Sequence, residues 1–113
     1  MGLDQIAEMG ARNVLITTEF GCYALLRKER TAHRYRVEAP QVEPVSTVGA
    51  GDTLLAAFLA AHVAGRTRED ALRTGVAAGA ASTLELGAGM FDPRQAARFQ
   101  GAVTLTELEP LAV

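Results

Sequence analysis

The segment Val45-Ser46-Thr47-Val48-Gly49-Ala50-Gly51-Asp52-Thr53 constrains the chain most. A loop carrying two glycines runs straight into a stretch, Thr53 to Ala64, that is apolar almost all round. Such a stretch predicts a largely buried helix. The start of a helix has several N–H groups without intrahelical partners and a partial positive charge, so it attracts anions. Gly49 and Gly51 permit a positive φ and a close backbone approach. With Ala50 they can form a nest of N–H groups around a phosphate-like anion. Asp52 follows at once, and an ordinary aspartate is ionised at neutral pH and able to accept a hydroxyl proton. Phosphoryl transfer needs both parts, donors for the charge on the moving group and a base for the attacking oxygen. A plainer account remains open: the same residues can be a tight turn with Asp52 as an N-cap. Thr53 can likewise touch a phosphate or merely complete the helix start.

Other nucleotide motifs fit badly. A Walker loop ends in Gly-Lys-Ser/Thr, which is absent, and a dinucleotide fingerprint would need glycine where Leu54 stands.

Around this segment the patterning is that of a mixed α/β protein. Leu3, Ile6, Ala7 and Met9 predict a short helix ended by Gly10. Val14 to Thr17 is a run of strand formers of the kind buried on both faces. Cys22 to Leu26 predicts a second strand. His33 to Glu38 alternates, with His33, Tyr35 and Val37 on one side and Arg34, Arg36 and Glu38 on the other, so these two strands predict a hairpin. Pro40 and Pro44 bracket a connecting loop.

After Gly65, Thr67 with Asp70 three residues on resembles a capping box for a helix running to about Leu86. Gly75, Gly79 and Thr83 fall four apart on one face of it. Interior glycines weaken a helix by about 1 kcal/mol each, so a close neighbour is expected there, either a backbone or a flat ligand. Asp92-Pro93 predicts an N-cap with proline at N1. From Val103 the chain either adds a strand or trails.

Composition narrows the classes. The chain has 113 residues, 49% of them hydrophobic, 21% charged, and a formal net charge of −2. One compact domain is the natural size, disorder is disfavoured, and no basic stripe points to nucleic acid. The single cysteine, Cys22, excludes an internal disulfide and a thiolate zinc cluster, and it reads as core filling. The N-terminus lacks a signal-peptide pattern, and the longest apolar run, Leu54 to Ala61, is too short to span a bilayer. A cytoplasmic protein without membrane association is the expectation. His62 reads as a helix-surface residue, His33 as a strand residue, and Glu107 as solvated charge.

Taken together, Ser-Thr-Val-Gly-Ala-Gly-Asp-Thr-Leu-Leu-Ala-Ala-Phe resembles the C-terminal signature of the PfkB, or ribokinase-type, carbohydrate kinases. The resemblance implies an α/β fold, with residues 1–113 as the C-terminal nucleotide-binding part of a ribokinase-like, Rossmann-type three-layer domain. That domain is incomplete here, its N-terminal sugar-binding and lid part being absent. It implies transfer of the ATP γ-phosphate to a sugar or sugar-phosphate hydroxyl, with Mg2+ carried by the ATP and no protein metal ligand in this chain. By resemblance Asp52 is the catalytic base and Gly49, Ala50 and Gly51 form the anion hole. Thr17, Thr18 and Gly21 would approach the phosphates, in a turn where relatives often carry two glycines and this chain has Glu19-Phe20-Gly21. Gly79 and Ser82 would lie on the adenine side, with Gly87-Ala88-Gly89 nearby. Ser46, where many members have Asp, is similar to the 1-phosphofructokinase and tagatose-6-phosphate kinase branch. A homodimer of a full-length protein would form through the lid, and exposed sheet edges are expected where missing strands would pair. A catalytically idle module that binds only a nucleotide or a protein partner is the alternative.

Overall fold

The computed structural model describes residues 13–28, 31–87 and 90–108. Four strands come as β1 (Val14–Thr18), β2 (Gly21–Lys28), β3 (Thr31–Glu38) and β4 (Thr104–Leu108), and three helices as α1 (Ala50–Val63), α2 (Arg68–Ser82) and α3 (Pro93–Ala102). The strands form one antiparallel sheet in the order β1-β2-β3-β4. The expected hairpin is β2–β3, in register from Gly21↔Glu38 to Lys28↔Thr31. Its alternation is as read: Tyr35 and Val37 are buried while Arg36 and Glu38 are exposed. The segment after Val103 is a true strand, closing the sheet on β3. The short helix expected over Leu3–Met9 lies outside the described residues.

One core joins sheet and helices. Cys22, Ala24 and Leu26 of β2 and Tyr35 and Val37 of β3 pack with Leu54, Leu72, Val76, Ala77 and Val103. Cys22 fills space there as expected, and burial pushes its thiol up to about 12. Helix α2 lies between the sheet and α1, and its glycines explain how closely. A β-carbon on Gly75 would sit 2.8 Å from the Leu54 carbonyl oxygen, and one on Gly79 would sit 3.1 Å from that of Ala50. The close neighbour demanded by those glycines is therefore the backbone of α1.

Capping follows the sequence. The Thr67 hydroxyl accepts from the Asp70 N–H at 3.1 Å, and the Asp92 carboxylate accepts from the Arg94 N–H at 2.9 Å ahead of Pro93. The Asp70 carboxylate does not complete a box. It takes Arg66 Nη1 at 2.7 Å and Gln100 Nε2 at 3.1 Å, tying α2 to α3.

Four expectations need correction. Helix α2 ends at Ser82, not near Leu86, because the Ser82 and Thr83 hydroxyls fold back on the Gly79 and Ala80 carbonyls as the chain leaves the helix. β1 is not buried on both faces: among the described residues it is an edge strand, and its last two residues are exposed. Glu107 is not merely solvated, since one of its oxygens lies 2.7 Å from His33 Nδ1. Helix α1 buries only Thr53, Leu54 and Ala61, leaving Leu55, Leu59 and Val63 exposed.

Candidate functional site

The loop after β3 is fixed before it reaches α1. The N–H groups of Val45 and Ser46 both donate to the Thr83 carbonyl, at 2.7 and 2.9 Å, so the end of α2 holds the loop. The Ser46 hydroxyl then accepts from the Val48 N–H at 3.3 Å. Gly49 is the N-cap of α1 with φ 79° and ψ 2°, a left-handed conformation that costs other residues about 1–2 kcal/mol. No side chain among the described residues caps this helix. The turn is closed instead from inside, with the Thr53 N–H and hydroxyl both donating to the Gly49 carbonyl, at 2.9 and 3.0 Å.

That geometry corrects one part of the plainer account: the N-cap is Gly49 and not Asp52. Asp52 lies three residues beyond the N-cap, in the first turn, and is exposed. Ala50 donates weakly to the Thr47 carbonyl at 3.3 Å, whereas the N–H groups of Gly51 and Asp52 have no backbone acceptor among the described residues. The helix therefore begins with open donors, a positive dipole end and a carboxylate at its rim. Thr53 is buried, and its hydroxyl is committed to the turn.

Beside this turn opens a cleft of about 520 Å³, within the range of small-molecule sites. One wall is the β1–β2 turn from Thr17 to Gly21, and another is the loop from Ala39 to Pro44. Its floor is made by Ala50, Gly51 and Leu54 of α1 with Val76, Gly79 and Ala80 of α2, and Thr83 closes it. Thr17 and α1 meet directly: a β-carbon on Gly51 would lie 3.5 Å from the Thr17 hydroxyl oxygen. The turn itself is held by Thr18, whose hydroxyl accepts from the Phe20 N–H at 3.3 Å, and by the Phe20 carbonyl, which accepts from Ala39 at 2.7 Å. Gly21 is required by backbone crowding, since a β-carbon there would fall 1.9 Å from the Val37 carbonyl oxygen.

Thr17, Thr18, Gly21, Ala50, Gly51 and Gly79, far apart in sequence, thus line one cleft. Gly49 and Asp52 flank Ala50 and Gly51 without lining it. Ser82 lies apart, buried, with its hydroxyl on the Gly79 carbonyl at 2.7 Å. Thr83, one residue on, is the hydroxyl residue that reaches the cleft. Sequence reasoning also passed over Thr47 and the Ala39–Pro44 wall, because Pro40 and Pro44 signal only a connection. Of the loop Gly87-Ala88-Gly89, the last two residues lie outside those described. The only charged residues lining the cleft are Glu19 and Glu43; no Lys or Arg does so among the described residues. The positive features at this end of the cleft are the backbone N–H groups and the dipole at the start of α1.

Fold and site together define an α/β protein with a two-glycine turn at a helix N-terminus beside a cleft of small-molecule size. Residues 3–94 match the pfkB family of carbohydrate kinases, and the chain belongs to that family. It is 35% identical to a 1-phosphofructokinase of Borreliella burgdorferi over 80 residues, which are 71% of this chain and 25% of that protein. Among solved structures, phosphofructokinase-2 from Escherichia coli, in complex with potassium, superposes with a TM-score of 0.74 at 27% identity. The match covers 88% of this chain and 31% of that one. An Arabidopsis thaliana ribokinase, complexed with ribose and ATP, gives a TM-score of 0.72 at 27% identity over 87% of this chain and 32% of that one. These relatives are sugar kinases with the ribokinase fold, and this chain spans about a quarter to a third of their length.

Proposed function

We propose that this chain is the nucleotide side of an ATP-dependent carbohydrate kinase, with a sugar or sugar-phosphate hydroxyl as acceptor. The observation that carries the reading is the meeting of Thr17 with Gly51 beside unpaired helix-start N–H groups and an exposed Asp52. The cleft has the size and the apolar floor for a nucleotide base and sugar, and the glycine turn lies where a polyphosphate would end. Magnesium would arrive with the nucleotide, supplying charge neutralisation between phosphates.

In that mechanism the chain's own groups have separate tasks. The N–H groups of Gly51 and Asp52 donate to the oxygens of the transferring phosphoryl group, whose charge is spread in the transition state. The Asp52 carboxylate accepts the proton of the acceptor hydroxyl as its oxygen bonds to phosphorus and the bond to the leaving phosphate breaks. Thr17, Thr18 and Gly21 bound the phosphate end of the cleft, and Gly79 and Thr83 its base end. The match to a 1-phosphofructokinase and Ser46 at the head of the motif both favour a phosphorylated sugar as acceptor. The chain would act in the cytoplasm, as part of a homodimer when the lid is present.

The test separates binding from turnover. Titration of this chain with a non-hydrolysable magnesium–ATP analogue should saturate. Sugar phosphates are then screened as acceptors with the upstream kinase region joined to the chain. No saturable binding by the chain, with or without that region, would sink the assignment.

A further inference from the structure

We propose that Glu19 is a specificity-determining residue of the cleft, its carboxylate discriminating against a polyphosphate whose charge no metal has neutralised. This deepens, and rests on, the reading of the chain as the nucleotide side of a kinase. The charge of the cleft is unusual for such a ligand. Phosphate groups are ordinarily met by Arg or Lys, yet the only charged residues lining this cleft among those described are Glu19 and Glu43. Both are exposed, and neither carboxylate has a hydrogen bond or ion pair among the described residues.

The two acids stand at different ends. Glu19 comes two residues after Thr17, which meets Gly51 at the start of α1. Its turn is held on both sides: the Thr18 hydroxyl accepts from the Phe20 N–H at 3.3 Å, and the Phe20 carbonyl accepts from the Ala39 N–H at 2.7 Å. The carboxylate is thus carried on backbone that is fixed beside the α1 turn. Glu43 comes two residues before Val45, whose N–H donates to the Thr83 carbonyl at 2.7 Å, so it belongs to the end where α2 stops. A phosphate chain ending on the open N–H groups of Gly51 and Asp52 would pass Glu19 and not Glu43. Asp52, at the rim, adds its own negative charge there.

A carboxylate so placed acts by its field. Among the described residues no group of three or more His, Cys, Asp or Glu could hold a metal ion, so the compensating cation arrives with the ligand. Magnesium bound between the phosphates removes two negative charges from a nucleoside triphosphate. Against that difference, one carboxylate at close range is worth a factor of about five to thirty in water-like surroundings. Glu19 therefore leaves the open N–H groups of α1 available to the metal complex and closes them to the bare anion.

The experiment measures dissociation constants of a non-hydrolysable ATP analogue for the 113-residue chain by calorimetry, with magnesium in excess and with EDTA. Salt is held at about 0.05 M, where screening is weak enough for the field of one carboxylate to register. Glu19→Gln keeps the size of the side chain and removes its charge. The free analogue should bind this variant about tenfold more tightly than the parent, and the magnesium complex within about threefold of it. Glu43→Gln removes the same charge at the other end and should change the ratio of the two constants by less than about threefold. An unchanged ratio in Glu19→Gln would overturn the proposal. So would an equal fall in Glu43→Gln, since the effect would then be one of net charge. A magnesium complex bound about tenfold more weakly by Glu19→Gln would overturn it too, because Glu19 would be holding the metal and not repelling the phosphates. Absence of binding in either form by parent and variants removes the nucleotide-side reading and this inference together, whereas binding with an unchanged ratio removes this inference alone.

Discussion

Asp52 is an acid with nothing to hold in the fold: it is exposed, it does not cap α1, and no hydrogen bond or ion pair occupies it among the described residues. Asp52→Asn should therefore leave stability within about 0.5 kcal/mol, as for other surface substitutions. In the complete enzyme, turnover should fall by about two to four powers of ten with nucleotide affinity retained, the usual loss for a general base. Normal turnover in that variant, measured by coupled ADP release, would remove Asp52 from the mechanism. The neighbouring glycines behave in the opposite way. Gly21→Ala places a β-carbon against the Val37 carbonyl, which is backbone and cannot move aside, so about 1–3 kcal/mol of stability should be lost in a denaturant titration. That Gly49, Ala50, Gly51 and Asp52 sit together at the start of a helix was legible in the sequence, because the two glycines run straight into an apolar stretch. Ser82 and Thr83 show the limit of such legibility. Adjacent hydroxyl residues at a helix end are indistinguishable by pattern, and only the angle of the last turn buries one and turns the other to the cleft.

At the scale of elements, β3 and the start of α2 are clamped by Tyr35, whose hydroxyl donates to Glu69 Oε1 at 2.8 Å. The bond holds the Glu69 carboxyl below its usual value of 4.5, and burial, helped by Glu69, raises the Tyr35 phenol above its usual value of 10. The two shifts act at opposite ends of the pH scale. A depressed carboxyl contributes stability that is present above pH 4.5 and lost as pH falls through the folded value. A raised phenol contributes stability that is complete below pH 10 and lost as pH rises towards the folded value. Melting temperature should thus fall on both sides of a plateau, and Tyr35→Phe should lower the plateau while flattening the alkaline limb. An unchanged alkaline limb in that variant would assign the loss to other groups. Helix boundaries set by caps were readable from sequence, as Thr67 and Asp92 show, since a cap is a local bond between residues two or three apart. The exposure of α1 was not, because a helix's apolarity says what it can bury and not which neighbours are present.

For the molecule as a whole, the cleft draws its walls from the β1–β2 turn, the loop after β3 and two helices, so a ligand there would bind only when sheet and helices are assembled. Ligand binding and folding are then linked, and a ligand at about 100 times its dissociation constant adds about 2.7 kcal/mol to stability. Magnesium–ATP should accordingly raise the melting temperature of the 113-residue chain, the rise growing with the logarithm of ligand concentration. The rise should persist in Asp52→Asn, which leaves the cleft lining intact, and shrink in Gly49→Ala, where the left-handed turn that opens the helix start is strained. Salt gives an independent check on the same site. With no Lys or Arg lining the cleft among the described residues, the attraction comes from fixed dipoles and N–H groups at contact distance. These are screened less than separated surface charges, so affinity should weaken only slightly between about 0.05 and 0.2 M salt, over which the Debye length remains several ångströms. A steep fall over that interval would mean that surface cations outside the cleft bind the polyphosphate, and the cradle at the start of α1 would lose its role. A concentration-dependent rise that is insensitive to salt and Asp52 but sensitive to Gly49 would locate the phosphate end of the nucleotide on the α1 turn.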